Sequence, residues 1–291
     1  MASLRRRLAP PAIAGFLVLL TCPMALAAWD ETTTGNGIHL SASYLRHLAA
    51  NNAVGSAYDK FKYNAVSLCS EGEPGTIDAD VFCTRAVAAC TGANAGRGPG
   101  PAVYVWRKLV ELADGTKVPA APWERAGWTC FPQLVPGAKN TLTMNDILSA
   151  FHDTPFAKPT ASIQPVGLKT LVNLPTYYAA AYPTTGFEPG EVDSTIILGF
   201  RVDIRPRATS YTYTFGDAST LGPTDDPGGP YPNGSIRHTY TRPGTYPVRI
   251  DTEYTGQFRV NGGQWIDIPD TVTIQGTTSQ LQVLEAVTRL H

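Results

Sequence analysis

The sequence predicts a mainly β protein in two parts, a smaller disulfide-containing α+β module followed by a β-sandwich. Three observations predict it. Segments after residue 190 alternate apolar and polar residues with a period of two, as in TIILGFRVDI over 195–204 and SYTYTF over 210–215. Among 291 residues there are 27 Gly and 24 Pro, which favours turns and short strands over long helices. All the cysteines after the first 28 residues fall at 69, 83, 90 and 130, so the two parts differ in composition.

Charge narrows the function. The formal net charge is −1 and only 16% of residues are charged, against ~25% in ordinary soluble domains. A near-neutral chain has no basic footprint for nucleic acid. Residues 1–28 carry the parts of a secretory signal: Arg5, Arg6 and Arg7, the short apolar run AIAGFLVLL over 12–20, and Ala25-Leu26-Ala27 as a small-x-small cleavage site. An uncleaved anchor, and a lipoprotein attached at Cys22, are the competing readings. Loss of the three leader arginines takes the net charge to −4. No later run reaches the ~18 apolar residues that a membrane span needs, so the exported chain is expected without a transmembrane segment.

Cys69, Cys83, Cys90 and Cys130 form an even set in an exported chain, which reads as two disulfides. Chain order and loop length favour Cys69–Cys83 and Cys90–Cys130. The spacing contains no C-x₂-C pair, so a zinc site is disfavoured and no metal or other cofactor is expected.

In the module over 29–150, Ile38–Ala50 is expected to be helical with Leu40, Tyr44, Leu45 and Leu48 on one face. Asp78–Cys90 is a second helix candidate. Phe61–Leu68, Ala102–Leu112 and Trp123–Cys130 read as strands, and Thr143–Phe151 as a helix with Thr143 as N-cap and Asp146 three residues on. Residues 151–167, rich in proline, read as a linker. The second domain, 168–291, has strands at Thr195–Ile204 and Ser210–Phe215. Thr245–Val260 reads as a strand, a bend and a second strand. Asn261-Gly262-Gly263 is a hairpin turn joining Gln257–Val260 to Gln264–Ile268, and Thr271–Ile274 and Leu281–Val287 complete the set. Leu281, Leu284, Val287 and Leu290 also fit a helical spacing, but the neighbouring context favours a strand. Seven or more short strands at this spacing point to an immunoglobulin-like two-sheet sandwich.

Tyr213-Thr-Phe215-Gly216-Asp217, then His238-Thr-Tyr240, then Gly244-Thr-Tyr246-Pro-Val248 resembles the signature of PKD (polycystic kidney disease) domains, W-x-F-G-D-G, H-x-Y and G-x-Y-x-V. The likeness covers about 195–275. Tyr213 stands for the usual Trp, Ala218 for the second Gly, and Asn261–Gly263 looks like an insertion. The wider layout, with LVNLP at 171–175, resembles exported actinobacterial proteins that carry a cysteine-bearing N-terminal part and a PKD domain. The resemblance implies that these residues define the fold rather than an active site. Tyr213 and Phe215 fall on one side of a strand and should fill the core. Gly216-Asp217 suits a tight turn. His238 is expected to bond backbone or a tyrosine, and Tyr240 and Tyr246 to pack on neighbouring strands.

No nucleophile elbow, metalloprotease motif, P-loop or EF-hand loop occurs, and no catalytic residue is assigned. Asp225 and Asp226 are the one acidic pair placed for a cation, although two carboxylates fall short of a calcium shell. The Pro/Gly-rich loop Leu221–Gly234 is long for a sandwich and carries Tyr231 between two prolines, a preorganised aromatic for recognition. The expected function is therefore a non-catalytic secreted or cell-envelope protein that contacts an envelope protein or polysaccharide. A secreted enzyme with a site around Glu111, Glu124 and Asp146, and a purely structural envelope component, are the alternatives.

Overall fold

The computed structural model describes residues 33–34, 37–76, 82–91, 96–138, 141–183 and 185–286. The expected export segment and residues 287–291 lie outside the described residues, as do 78–81 of the second helix candidate. The chain is mainly β, with three short α-helices among the described residues.

A two-strand ladder, β1 (Thr33–Thr34) and β2 (Gly37–Ile38), precedes helix α1 (Ala42–Asn51). Ser41 caps α1 by accepting the Tyr44 N–H at 3.3 Å. Strands β3 (Lys60–Ser67), β4 (Val103–Glu111) and β5 (Glu124–Thr129) form an antiparallel sheet in that order. The alternation of β4 feeds two small cores. Val103 and Val105 pack with Leu40 and Leu45 from α1 and its approach, while Tyr104 and Trp106 pack with Val66, Leu68 and Ala86. Ala86 belongs to α2 (Thr84–Ala88). This helix is shorter than the sequence reading, because Cys83 is still extended at φ −147°. Cys69 is bonded to Cys83 and Cys90 to Cys130. The second bond closes a separation of 40 residues, which constrains the unfolded chain by about 4 kcal/mol in the loop-entropy account.

Helix α3 (Met144–Asp153) begins with a complete capping box between Thr143 and Asp146. Its buried face of Met144, Ile147 and Phe151 joins Phe82 and Val87 of the disulfide module to the large sheet beyond it. Residues 151–167, expected as a linker, are structured. Phe151, Phe156, Ala157 and Ile163 are buried, and Thr160–Gln164 is a strand, β6. The apolar residues spaced between the prolines have cores to enter, which composition alone does not reveal.

The remaining strands are β7 (Lys169–Leu171), β8 (Thr176–Ala181), β9 (Asp193–Ile197), β10 (Phe200–Thr214), β11 (Thr220–Thr224), β12 (Arg237–His238), β13 (Gly244–Val260), β14 (Ile266–Asp267), β15 (Val272–Ile274) and β16 (Ser279–Leu284). The large sheet runs β11-β10-β13-β16-β7, with β9 added to β10, and β14 and β15 to β13. A three-stranded sheet, β12-β8-β6, faces one half of it across a core of Ile163, Tyr178, Tyr213, Phe215, Tyr240 and Ile250. The other half is covered by α3 and the disulfide module.

Two long strands hold this arrangement. β13 is a single strand of 17 residues, not the two expected around a bend, and its even positions from Val248 to Val260 are buried without interruption. In β10 the inward residues are even-numbered at Val202 and Ile204 but odd-numbered at Tyr211 and Tyr213. The change of parity is absorbed by a bulge at Thr209, between the pairs Ala208–Tyr254 and Ser210–Glu253. Thr209 donates its hydroxyl to the Glu253 carbonyl at 3.0 Å.

Thr195–Ile204 is also corrected, from one strand to a hairpin that turns at Leu198-Gly199. Leu198 takes φ +51° and Gly199 φ +90°. After this reversal Ile197 opposes Phe200, and Ile196 points outward, 68% exposed. Apolar residues on both sides of the turn hide it from a period-two reading. On the outer face, the buried Asp203 carboxylate is held by Ser194, Arg201 and Arg259. Burial raises its pKa, but these three donors outweigh burial and lower it overall.

The bulge makes a discriminating prediction. Deleting Thr209 leaves a regular ladder with every inward residue still inward, so the protein should fold at a cost of about 1 kcal/mol for the lost hydrogen bond. Deleting Thr212 turns Tyr213 and Phe215 outward and should remove about 3–6 kcal/mol of burial. Urea unfolding followed by near-ultraviolet circular dichroism separates the two.

Candidate functional site

The signature residues meet at one end of the two-sheet core. Gly216 follows β10 at φ +84°, and a Cβ there would lie 2.7 Å from the Pro247 nitrogen of β13, so only glycine fits. The turn then presents Asp217. Its Oδ2 lies 2.7 Å from His238 Nε2, and its Oδ1 accepts the Ser219 N–H at 3.1 Å and the Ser219 hydroxyl. The His238 ring stacks on Phe215, with centroids 4.3 Å apart and planes at 9°, and meets Tyr240 edge-on. The partner of His238 is thus a carboxylate, not the backbone or tyrosine expected. The reason is the turn at Gly216, which brings Asp217 to the end of β12.

Ser219, His238 and Asp217 do not form a nucleophilic triad. Both the serine hydroxyl, at 3.5 Å, and the carboxylate approach the same nitrogen, Nε2. A triad places base and orienting carboxylate on opposite ring nitrogens. The contacts instead pin the loop. Burial raises the Asp217 pKa, while Ser219 and His238 lower it by more, so the carboxyl sits below its usual range.

The tyrosines extend this scaffold inward. Tyr240 donates to the Phe215 carbonyl at 2.9 Å and pairs with the Tyr178 hydroxyl at 2.9 Å, linking the two sheets through their core. Burial, above all, pushes its phenol up to about 12. Tyr246 packs on Tyr240 at 4.6 Å and donates to the Arg242 carbonyl, while Gly244 opens β13. Tyr213, where a PKD signature has Trp, donates its hydroxyl to the Asp226 carbonyl at 3.0 Å.

Asp226 is committed to this turn, since its carboxylate accepts the Gly228 N–H at 2.8 Å. Asp225 is exposed. Among the described residues no three His, Cys, Asp or Glu side chains are grouped to hold a metal ion. The long loop expected over Leu221–Gly234 is shorter than it reads, because Thr220–Thr224 is strand β11. The remainder of the loop lies along β8: Ala180 N–H donates to the Pro227 carbonyl and Gly229 N–H to the Tyr178 carbonyl. The loop therefore covers a sheet edge.

That docking delivers Tyr231 to an open cleft of about 560 Å³ lined by Gln164, Pro165, Val166, Leu174, Pro175, Tyr177 and Tyr231. The Tyr177 and Tyr231 rings stand at 82° with centroids 5.5 Å apart, and the Tyr231 N–H donates to Gln164 Oε1 at 2.7 Å. Tyr231 is 68% and Val166 80% exposed. Tyr231 was legible from sequence as a candidate. Gln164, Val166, Leu174 and Tyr177 were not, because β6 and β8 must pair before they share a face.

The residues considered for catalysis do not converge. Glu111 is clasped by Lys60 at 2.7 Å and by Lys117, and these two hydrogen bonds bring its pKa down to about 2. Glu124 is largely exposed beside Arg107 at 3.7 Å. Asp146 caps α3 and borders a separate cleft whose lining includes neither glutamate. Comparison of the chain with protein-family models, with curated proteins and with solved structures found no match.

Asp217 carries a pH prediction. Its lowered pKa stabilises the fold above the unfolded-state value near pH 4, and that stability is lost as pH falls through the lower folded-state value. Asp217→Asn should cost about 1 kcal/mol at pH 7, and the difference from wild type should shrink below about pH 4. Urea midpoints across pH 2.5–7 check this.

Proposed function

We propose that this chain is a non-catalytic binding protein exported to the cell surface, where an immunoglobulin-like, PKD-like sandwich contacts an envelope protein or polysaccharide. One observation carries the reading: an exposed aromatic and apolar cleft at Tyr177 and Tyr231, held open by a loop that is itself hydrogen-bonded to β8. A contiguous exposed apolar patch marks recognition more often than structure. The clustering of the signature residues around the Gly216 turn supports the PKD likeness. The two disulfides are compatible with an extracellular setting, and no helix among the described residues is long and apolar enough to cross a membrane. A purely structural component would have no use for such a cleft.

In pull-downs against purified envelope proteins and against cell-wall polysaccharide, the wild-type protein should be retained by one of them. Tyr231→Ala should weaken that retention by about tenfold, the loss of ~1.4 kcal/mol from one aromatic anchor. Retention by neither material would sink the reading, and equal retention of both proteins would remove the cleft from it.

A further inference from the structure

Of the thirteen exposed large apolar side chains among the described residues, three line this cleft: Val166, Leu174 and Tyr231.

The polar chemistry of the lining selects the occupant. No charged side chain lines the cleft, and Gln164 is its single amide. The Gln164 Oε1 is taken by the Tyr231 N–H, which leaves the carboxamide NH₂ as a donor. Two phenols add further donors. A cleft with apolar walls and a few donors complements a polymer that offers apolar rings and carbonyl acceptors but lacks N–H groups. Polysaccharide is the poorer match, because one amide and two phenols pair with few of the hydroxyls that each sugar ring turns toward the walls. A charged peptide would find no counter-charge in the lining.

We infer that this cleft binds an uncharged, proline-rich peptide segment in the extended polyproline II conformation. Such a segment is already extended in solution and loses little conformational entropy on docking, and aromatic grooves flanked by apolar residues are the usual surface for it. Pro165 and Pro175 border the groove and the edge-to-face tyrosine pair forms its wall. An open cleft suits an extended polymer better than a small molecule, which requires enclosure over most of its surface.

The inference rests on the binding role of the same cleft, and its test separates the two. Decaproline, a Gly-Ser decapeptide and a cellulose- or chitin-derived hexasaccharide are titrated calorimetrically into the wild-type protein and into Tyr231→Ala and Val166→Asp. Far-ultraviolet circular dichroism verifies that both variants fold. Decaproline should bind saturably, at least tenfold more tightly than either other probe, and each substitution should weaken it at least tenfold. Absence of decaproline binding, indifference to both substitutions, or preference for the hexasaccharide would overturn the inference. If the protein is retained by envelope material but ignores decaproline, the choice of ligand fails and the binding role stands.

Discussion

The pairing of β10 with β13 is the constraint on which the rest of this molecule depends. Twelve residue pairs run from Val202–Val260 to Thr214–Arg249, so one ribbon spans both large cores. Its inner face needs cover along its full length. The disulfide module and α3 supply it at one end, and the β12-β8-β6 sheet supplies it at the other. Such a ribbon twists, and the bulge at Thr209 adds to the twist while keeping both halves facing inward. Every other strand of the large sheet except β7, which pairs with β16, is attached to one of these two.

The same ribbon explains why the disulfide module is not a separate bead on a string. Phe82 and Val87 enter a core with Phe258 and Val260, residues more than 170 positions away in sequence. The two disulfides stiffen a module whose own cores are small, and α3 carries that rigidity to the sheet through Ile147 and Phe151. Phe151 also packs on Phe156, and Phe156 on Tyr254, at 5.3 and 4.9 Å. The hydroxyl of Tyr254 then closes on the Ala157 carbonyl at 3.0 Å. The segment that connects the two parts is thus part of the core.

Division of labour between scaffold and surface derives from burial. Phe215, Asp217, His238 and Tyr240 satisfy one another, and their polar atoms are engaged in holding a turn. Tyr231 lies outside that network. Its backbone is fixed by Gln164 while its ring remains open to solvent. The residues with the strongest sequence signature therefore build the platform, and the weakly marked ones line the cleft.

The sequence by itself determined the β character, the three strands of the disulfide module, the strand-forming segments from Thr245 onward, the capping box of α3, four cysteines set for two disulfides, and Tyr231 as an aromatic of interest. These are local properties: a period of two, a cap, a turn residue. Tertiary structure decided the hairpin at Leu198-Gly199, the unbroken length of β13 and the structured nature of 151–167. Alternation survives a two-residue turn between apolar neighbours, and a proline-rich stretch looks irregular until its few apolar side chains have a core to enter. The parity change between Ile204 and Tyr211 was present in the sequence, yet only pairing with an uninterrupted β13 makes it a bulge. The cleft is tertiary in the strict sense. Gln164, Val166, Leu174, Tyr177 and Tyr231 share a surface only because β6 pairs with β8 and the loop after β11 bonds to the β8 edge, and that long-range pairing leaves no mark in local sequence.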